Sequence, residues 1–317
     1  MNTNIKKEAE NKKYLFKTLL ILVVIAAVFG LFVYVYNYNS HRTQSYKGSE
    51  AFVNKVVSQQ LGKNQRELTS RDYEQIESIV IDSNLVAGNV KPLLKLKNLK
   101  TIKFDISSAT HIDLKPLEKL KKLKKLEFVF PGIIPEKRSW YENLRYKILS
   151  SDGTSLIYLL IPFDFNQLEK FKNLESLKVI TPYASNIEAL AGLTNLKYLE
   201  IDTNKWRIHD LRPFSGLVNL EFLSLRGQTL LLKDCNSISN LKKLNKLSIP
   251  SARIYNLDGL DSLENLQELN LSNTEITDAN ALQKLTGLKS VNLTNVPLSD
   301  EQIEELQRAL PELKIVK

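Results

Sequence analysis

Few residues in this chain are suited to covalent or metal chemistry, and they are scattered. There are three histidines, His41, His111 and His209, and one cysteine, Cys235. A zinc site is announced by spacings such as H-x-x-x-H or paired cysteines, and neither occurs. A G-x-S-x-G elbow, a phosphate-cradling G-x-x-x-x-G-K-[ST] loop and a G-x-G-x-x-G turn are absent as well. Cys235, in LLLKDCNSISNL, reads as a small buried filler and not as a nucleophile. Acidic pairs such as Asp258 with Asp261 are expected to cap backbone amides in turns. No catalytic residue, metal or cofactor is therefore expected, and the chain reads as a non-enzyme. What remains is the chemistry of binding. Tyr158, Ile180, Tyr198, Glu200, Asp202, Phe222 and Arg226 combine aromatic faces, an aliphatic side chain and charges. Aromatic and arginine side chains held on a rigid surface bury much area for little entropy loss, which is what an interface favours.

The elements that would hold those residues follow from a repeat. L-x-x-L-x-L matches begin at Ile76, Leu99, Leu123, Leu156, Leu174, Leu196, Leu220, Leu244, Leu266 and Leu288, with a closing Leu313, and apart from the interval around Leu156 the steps are 22 to 25 residues. Within each match x-L-x-L-x forms a short strand whose alternate side chains enter the core, and successive strands stack into one parallel sheet. The third, fifth and seventh positions then point away from the core on the concave face. This places Tyr158, Leu160 and Pro162 in one column, then Ser176, Lys178 and Ile180, then Tyr198, Glu200 and Asp202, then Phe222, Ser224 and Arg226. Most other columns are small or polar, as in Glu268, Asn270 and Ser272.

No such repeat can bury its own leucines, so the array needs caps. EAFVNKVVSQQLG places Phe52, Val53, Val56, Val57 and Leu61 on one helical face. Thr69 with Asp72, and Ser299 with Gln302, have the spacing of capping boxes. The helix DEQIEELQRAL ends at Pro311, and LKIV closes the sheet. Between Phe130 and Ser155 the register is lost, and the segment 131–155 is either an inserted binding loop or a degenerate repeat filled by Trp140 and Tyr141.

The stretch LTSRDYEQIESIVIDSN, the helix before it, the units with N-L-x-x-L and the ALPELKI ending resemble the bacterial internalin-like leucine-rich-repeat proteins over about residues 50 to 317. The resemblance implies an α/β leucine-rich-repeat solenoid with a parallel sheet on its concave face and helix-capped ends. It also implies extracellular protein recognition at the surface of a Gram-positive bacterium, usually through that face. The family's buried asparagine, eight residues after the first leucine, is met at Asn204, whereas Gln228, Ala252 and Thr274 stand at the matching places.

One transmembrane helix is expected ahead of the solenoid. Thr18 to Tyr36 is an unbroken apolar run of 19 residues, close to the ~20 that cross a bilayer. It is longer than a signal-peptide core and lacks a small-x-small cleavage site, so it is read as an uncleaved anchor. Lys12, Lys13 and Lys17 flank one end and Tyr34, Tyr36 and Tyr38 the other, which orients the N-terminus to the cytoplasm and the repeats outside. The expected organisation is a tail at 1–17, the span at 18–38, a stalk at 39–49, a helical cap at 50–75, repeats at 76–298 and a helix-strand cap at 299–317. With no C-terminal wall-sorting motif in view, the N-terminal helix is expected to do the anchoring.

Charge argues against nucleic acid as partner. The chain carries +9, but seven basic residues against Glu8 and Glu10 put +5 of it in residues 1–49 and leave +4 for the remainder. The cluster Lys119, Lys121, Lys122, Lys124 and Lys125 could attract anionic wall polymer or lipid head groups, but its plainer reading is a solvated convex edge, and no aromatic platform accompanies it. The expected activity is thus membrane-anchored recognition or adhesion, with a host or bacterial surface protein or a cell-wall polymer as partner. The alternative is a non-catalytic subunit of a membrane complex, packed through the small residues Ala26, Ala27 and Gly30. If the lysine bias governs insertion, protease added to intact protoplasts is expected to digest everything past about residue 40 and spare the tail; a protected repeat domain contradicts that orientation.

Overall fold

The computed structural model describes residues 48–81, 89–105, 112–130, 163–181, 183–203, 211–227 and 231–317. In chain order its strands are β1 (Ser78–Ile81), β2 (Thr101–Asp105), β3 (Lys125–Val129), β4 (Phe163–Asp164), β5 (Ser176–Thr181), β6 (Ala184–Ser185), β7 (Tyr198–Thr203), β8 (Phe222–Gly227), β9 (Leu231–Leu232), β10 (Lys246–Ser248), β11 (Arg253–Ile254), β12 (Glu268–Asn270), β13 (Ser290–Asn292) and β14 (Lys314–Val316). Ten of them form one sheet in the order β1-β2-β3-β5-β7-β8-β10-β12-β13-β14. Every pairing is parallel and in repeat register, so that Leu199 faces Leu177 on one side and Leu223 on the other. The spacing of the first Leu or Ile therefore places these strands correctly, nine of them beginning two residues after it and the closing β14 one residue after Leu313. This is the leucine-rich-repeat solenoid.

The repeat expected at Leu156 departs from this order. β3 pairs directly with β5 over five residues, Lys125↔Ser176 to Val129↔Ile180, and Phe130 N–H extends the ladder to the Ile180 carbonyl at 3.1 Å. Parallel strands lie about 4.8 Å apart, so nothing can stand between these two. The interval from Leu123 to Leu174 is one step of the sheet. Its return is anchored in the core: Phe163 packs on Phe128 and Phe165 at 4.8 and 5.2 Å, and Phe128 stacks on Phe104 at 4.8 Å. Residues 131–155, with Trp140 and Tyr141, lie outside the described residues, as do the three histidines, Asn204, Gln228 and the apolar run at 18–36. Among the described residues no helix is long and apolar enough to cross a membrane.

Opposite the sheet, the chain returns through short 3-10 helices such as Lys91–Lys95, Lys115–Lys119, Ile187–Gly192 and Asn280–Lys284. A repeat this short leaves few residues for the return, and the tighter helix spans more per residue. Most starts are set by an Asx turn: Asn89, Asp113, Asp164, Asp234, Asn256 and Asp278 each accept the N–H two residues on, at 2.8 to 3.2 Å. The capping expected of Asp258 and Asp261 thus falls to Asn256, while Asp261 pairs with Lys284 at 3.2 Å. Gly259, at φ 93°, is required in that turn, since a Cβ there would meet Asn236 Cα at 2.6 Å.

A second ladder runs along the turns that precede the strands. The asparagine of N-L-x-x-L donates its Nδ2 to a carbonyl of the neighbouring turn: Asn98 to Glu74, Asn173 to Lys121, Asn195 to Lys172, Asn219 to Thr194 and Asn265 to Lys242, at 2.7 to 3.1 Å. Where lysine replaces it, the ladder continues through the longer side chain: Lys122 and Lys243 Nζ each donate to the Oδ1 of the preceding asparagine at 2.7 Å. At the position of the buried family asparagine, Ala252 and Thr274 are buried instead, and Thr274 Oγ1 donates to the Leu271 carbonyl at 2.6 Å.

Both caps form. Residues 48–61 are helical, so this helix already includes residues 48 and 49, assigned above to the stalk, and Ser49 is buried. Val53 and Val57 enter the core, and Gln60 Nε2 donates to the Ser78 carbonyl at 3.2 Å, covering part of the sheet's first edge. The Thr69–Asp72 box is closed by Thr69 N–H to Asp72 Oδ2 at 2.7 Å. Hydrogen bonds from Lys63 and from Thr69 hold the Asp72 carboxyl down at about 2. At the other end the Ser299–Gln302 box starts the helix Asp300–Ala309. Gln307 Nε2 then donates to the Leu310, Pro311 and Leu313 carbonyls as the helix ends.

Because neighbours hold each repeat, a central core leucine matters most. Leu223 is fully buried, and Leu223→Ala is expected to lower stability by roughly 2 to 5 kcal/mol in chemical denaturation. A loss no larger than that of the exposed Lys289→Ala contradicts the register.

Candidate functional site

The strands alternate as a half-buried sheet requires. In β5 and β7 the odd positions are partly exposed and the even ones buried. Ile180, Tyr198, Glu200, Asp202, Phe222 and Arg226 therefore gather on one face of three adjacent strands. Register sets Tyr198 opposite Phe222, Asp202 opposite Arg226, and Ile180 opposite Asp202. Tyr158 lies outside the described residues, and the column expected for it between β3 and β5 has no place in the sheet, because those strands bond to each other.

The centre of this face is an aromatic stack. The rings of Tyr198 and Phe222 lie 4.3 Å apart, within 5° of parallel, because parallel strands bring equivalent side chains to nearly the van der Waals thickness of a ring. Lys246 Nζ lies 6.0 Å from the far face of Phe222 and is held in place by its ion pair with Glu268. Tyr198 Oη donates to Glu200, which also pairs with Lys178 at 3.0 Å. Burial, reinforced by the hydrogen bond and charge of Glu200, pushes the Tyr198 phenol above its ordinary range, so it stays a neutral donor. Asp202 has a looser partner, Arg226 Nη1 at 3.7 Å, which is beyond hydrogen-bonding distance. Burial raises its carboxyl, with Arg226 opposing the shift.

Other charges on the face are matched in the same way: Lys103 with Asp105 at 3.1 Å and Lys125 with Glu127 at 2.8 Å. The face thus presents apolar area among charges that largely satisfy one another. This arrangement suits the burial of a partner's side chains; no set of groups here is disposed to move a proton or attack a bond.

Several contributors are not apparent from residue type alone. Val129 pairs in register with Ile180 and extends the aliphatic strip. Lys125 belongs to this concave strand and not to the convex edge to which its lysine cluster was assigned. Two others of that cluster hold repeats together, Lys124 with Glu175 at 2.5 Å and Lys122 with Asn98, while Lys121 donates within its own repeat to the Glu118 carbonyl at 3.0 Å. The L-x-x-L-x-L register from Leu123 carries the signal for both Val129 and Lys125. Cys235 is buried as expected, and burial with the nearby Asp234 and Asp258 pushes its thiol up to about 12, far from thiolate reactivity at neutral pH.

Residues 264–312 match the family of Leucine Rich repeats (2 copies). No curated protein matches the chain. Among solved structures it is similar to an internalin (inlF) from Listeria monocytogenes, at 19% identity and a TM-score of 0.42, over 84% of this chain and 90% of that one. It is also similar to internalin C2 (inlC2) of the same species, at 22% identity and a TM-score of 0.48, over 78% of this chain and 92% of that one.

Proposed function

We propose that this chain is an internalin-like recognition module, anchored in a bacterial membrane by the apolar run at 18–36, which binds a protein partner outside the cell on its concave sheet. The observation that carries the reading is the Tyr198–Phe222 stack, set amid ion pairs on a rigid ten-stranded sheet. Large planar side chains already ordered by their neighbours lose little entropy on binding, and their burial supplies most of an interface's energy. The surrounding pairs, such as Lys178 with Glu200, keep the rings fixed and disfavour partners that bring unmatched charge. A protein surface fits this combination better than a cell-wall polymer, because a polyanion would need unpaired cations. The lysines of the concave face and of the β3 edge are mostly engaged within the chain.

The partner is to be identified by co-purification from membranes. Tyr198→Ala and Phe222→Ala are then each expected to weaken its binding by roughly 1 to 3 kcal/mol with the melting temperature unchanged. Wild-type affinity in both variants, with loss of binding on deletion of residues 131–155, moves the site to the inserted segment and overturns the concave-face reading.

A further inference from the structure

The aromatic stack is closed at one end and open at the other. Beyond Phe222 the next strand places Lys246, whose ammonium lies over the ring and is held by Glu268. Beyond Tyr198 the next strand places Ser176, which is directly in register with it, and the strand after that places Lys125. This part of the row runs Lys125, Ser176, Tyr198, Phe222, Lys246, and of these five the serine has the smallest side chain. From Lys125 to Tyr198 is two strand spacings, roughly 9.5 Å. That admits one planar group, which needs about 3.5 Å on each of its faces.

The charge around this notch is balanced. Lys125 is matched by Glu127 at 2.8 Å and Lys178 by Glu200 at 3.0 Å, and Glu200 also accepts from Tyr198. A guanidinium inserted here would find no carboxylate lacking a partner, whereas a neutral ring needs none. We propose that the notch over Ser176 receives an aromatic side chain of the protein partner, which continues the Tyr198–Phe222 stack as its third ring. This inference rests on the concave-face reading and adds to it the class of side chain that the partner must present. The serine is then a specificity-determining position: any large residue there fills the seat with the chain's own atoms.

The test uses the full chain in lipid nanodiscs, with N-acetyl-L-tryptophanamide as probe and N-acetyl-L-argininamide as its charged planar counterpart, read by saturation-transfer-difference NMR. The wild type is expected to show a saturable signal with the tryptophan amide. Ser176→Phe and Ser176→Leu are each expected to weaken that binding roughly tenfold or more, relative to the same nanodiscs carrying wild type. Equal binding to wild type and both variants overturns the notch, as does a saturable signal from the arginine amide alone. With the co-purified partner, retention of wild-type affinity by Ser176→Phe alongside loss in Tyr198→Ala overturns the notch and leaves the concave face standing. Retention by both variants overturns the concave-face reading itself.

Discussion

Everything in this structure depends on one constraint: a single repeat can neither bury its own leucines nor pair its own strand. Leu199 is buried because Leu177 and Leu223 lie in register on either side, and the same holds along the row. Polar groups obey the same rule. The turn carbonyls of one repeat are satisfied by the asparagine of another, as Thr194 is by Asn219, or by a strand amide, as Lys197 is by Glu221 and Phe222. Where the array stops, other devices replace the missing neighbour. Gln60 meets an edge carbonyl of β1, and Gln307 gathers three carbonyls at the far end.

The proposed binding surface is a by-product of that stacking. Strand spacing is set by backbone hydrogen bonds, and it is close to the thickness of an aromatic ring. Tyr198 and Phe222 therefore stack without any further arrangement, and Lys178 reaches Glu200 on the next strand. The rows thus hold side chains in fixed order before any partner arrives. Rigidity of this kind lowers the entropy lost on binding. It also makes each position answerable to its neighbours in the row, which is why a serine beside a tyrosine has meaning.

Most of this was legible in the residues themselves. Leucine spacing marks every strand of the main sheet, alternation marks its exposed face, and Thr69 with Asp72 and Ser299 with Gln302 mark the caps. Failures came where a short pattern occurred by chance or where a position served two devices. LIYLLI matches the repeat at Leu156, yet β3 bonds to β5; strand pairing is a long-range fact that no local window contains. Lys121, Lys122, Lys124 and Lys125 look like one patch along the sequence, but strand alternation sends Lys125 to the concave face, while Lys122 takes the ladder asparagine's place ahead of Leu123. The ladder itself is half visible in the sequence: N-L-x-x-L marks where its asparagines stand, while their hydrogen bonds depend on the placement of the neighbouring turn.

Whether the partner sits on the concave sheet, as proposed, is tested most directly by site-specific photocrosslinking. Benzoylphenylalanine would replace Lys178 or Arg226 on the concave face, and Glu188 or Lys284 on the convex side, in the full chain before irradiation with its co-purified partner. Crosslinked partner at Lys178 and Arg226, with none at Glu188 and Lys284, is the predicted result. Crosslinks confined to Glu188 and Lys284 would place the partner on the convex side and overturn the concave-face reading.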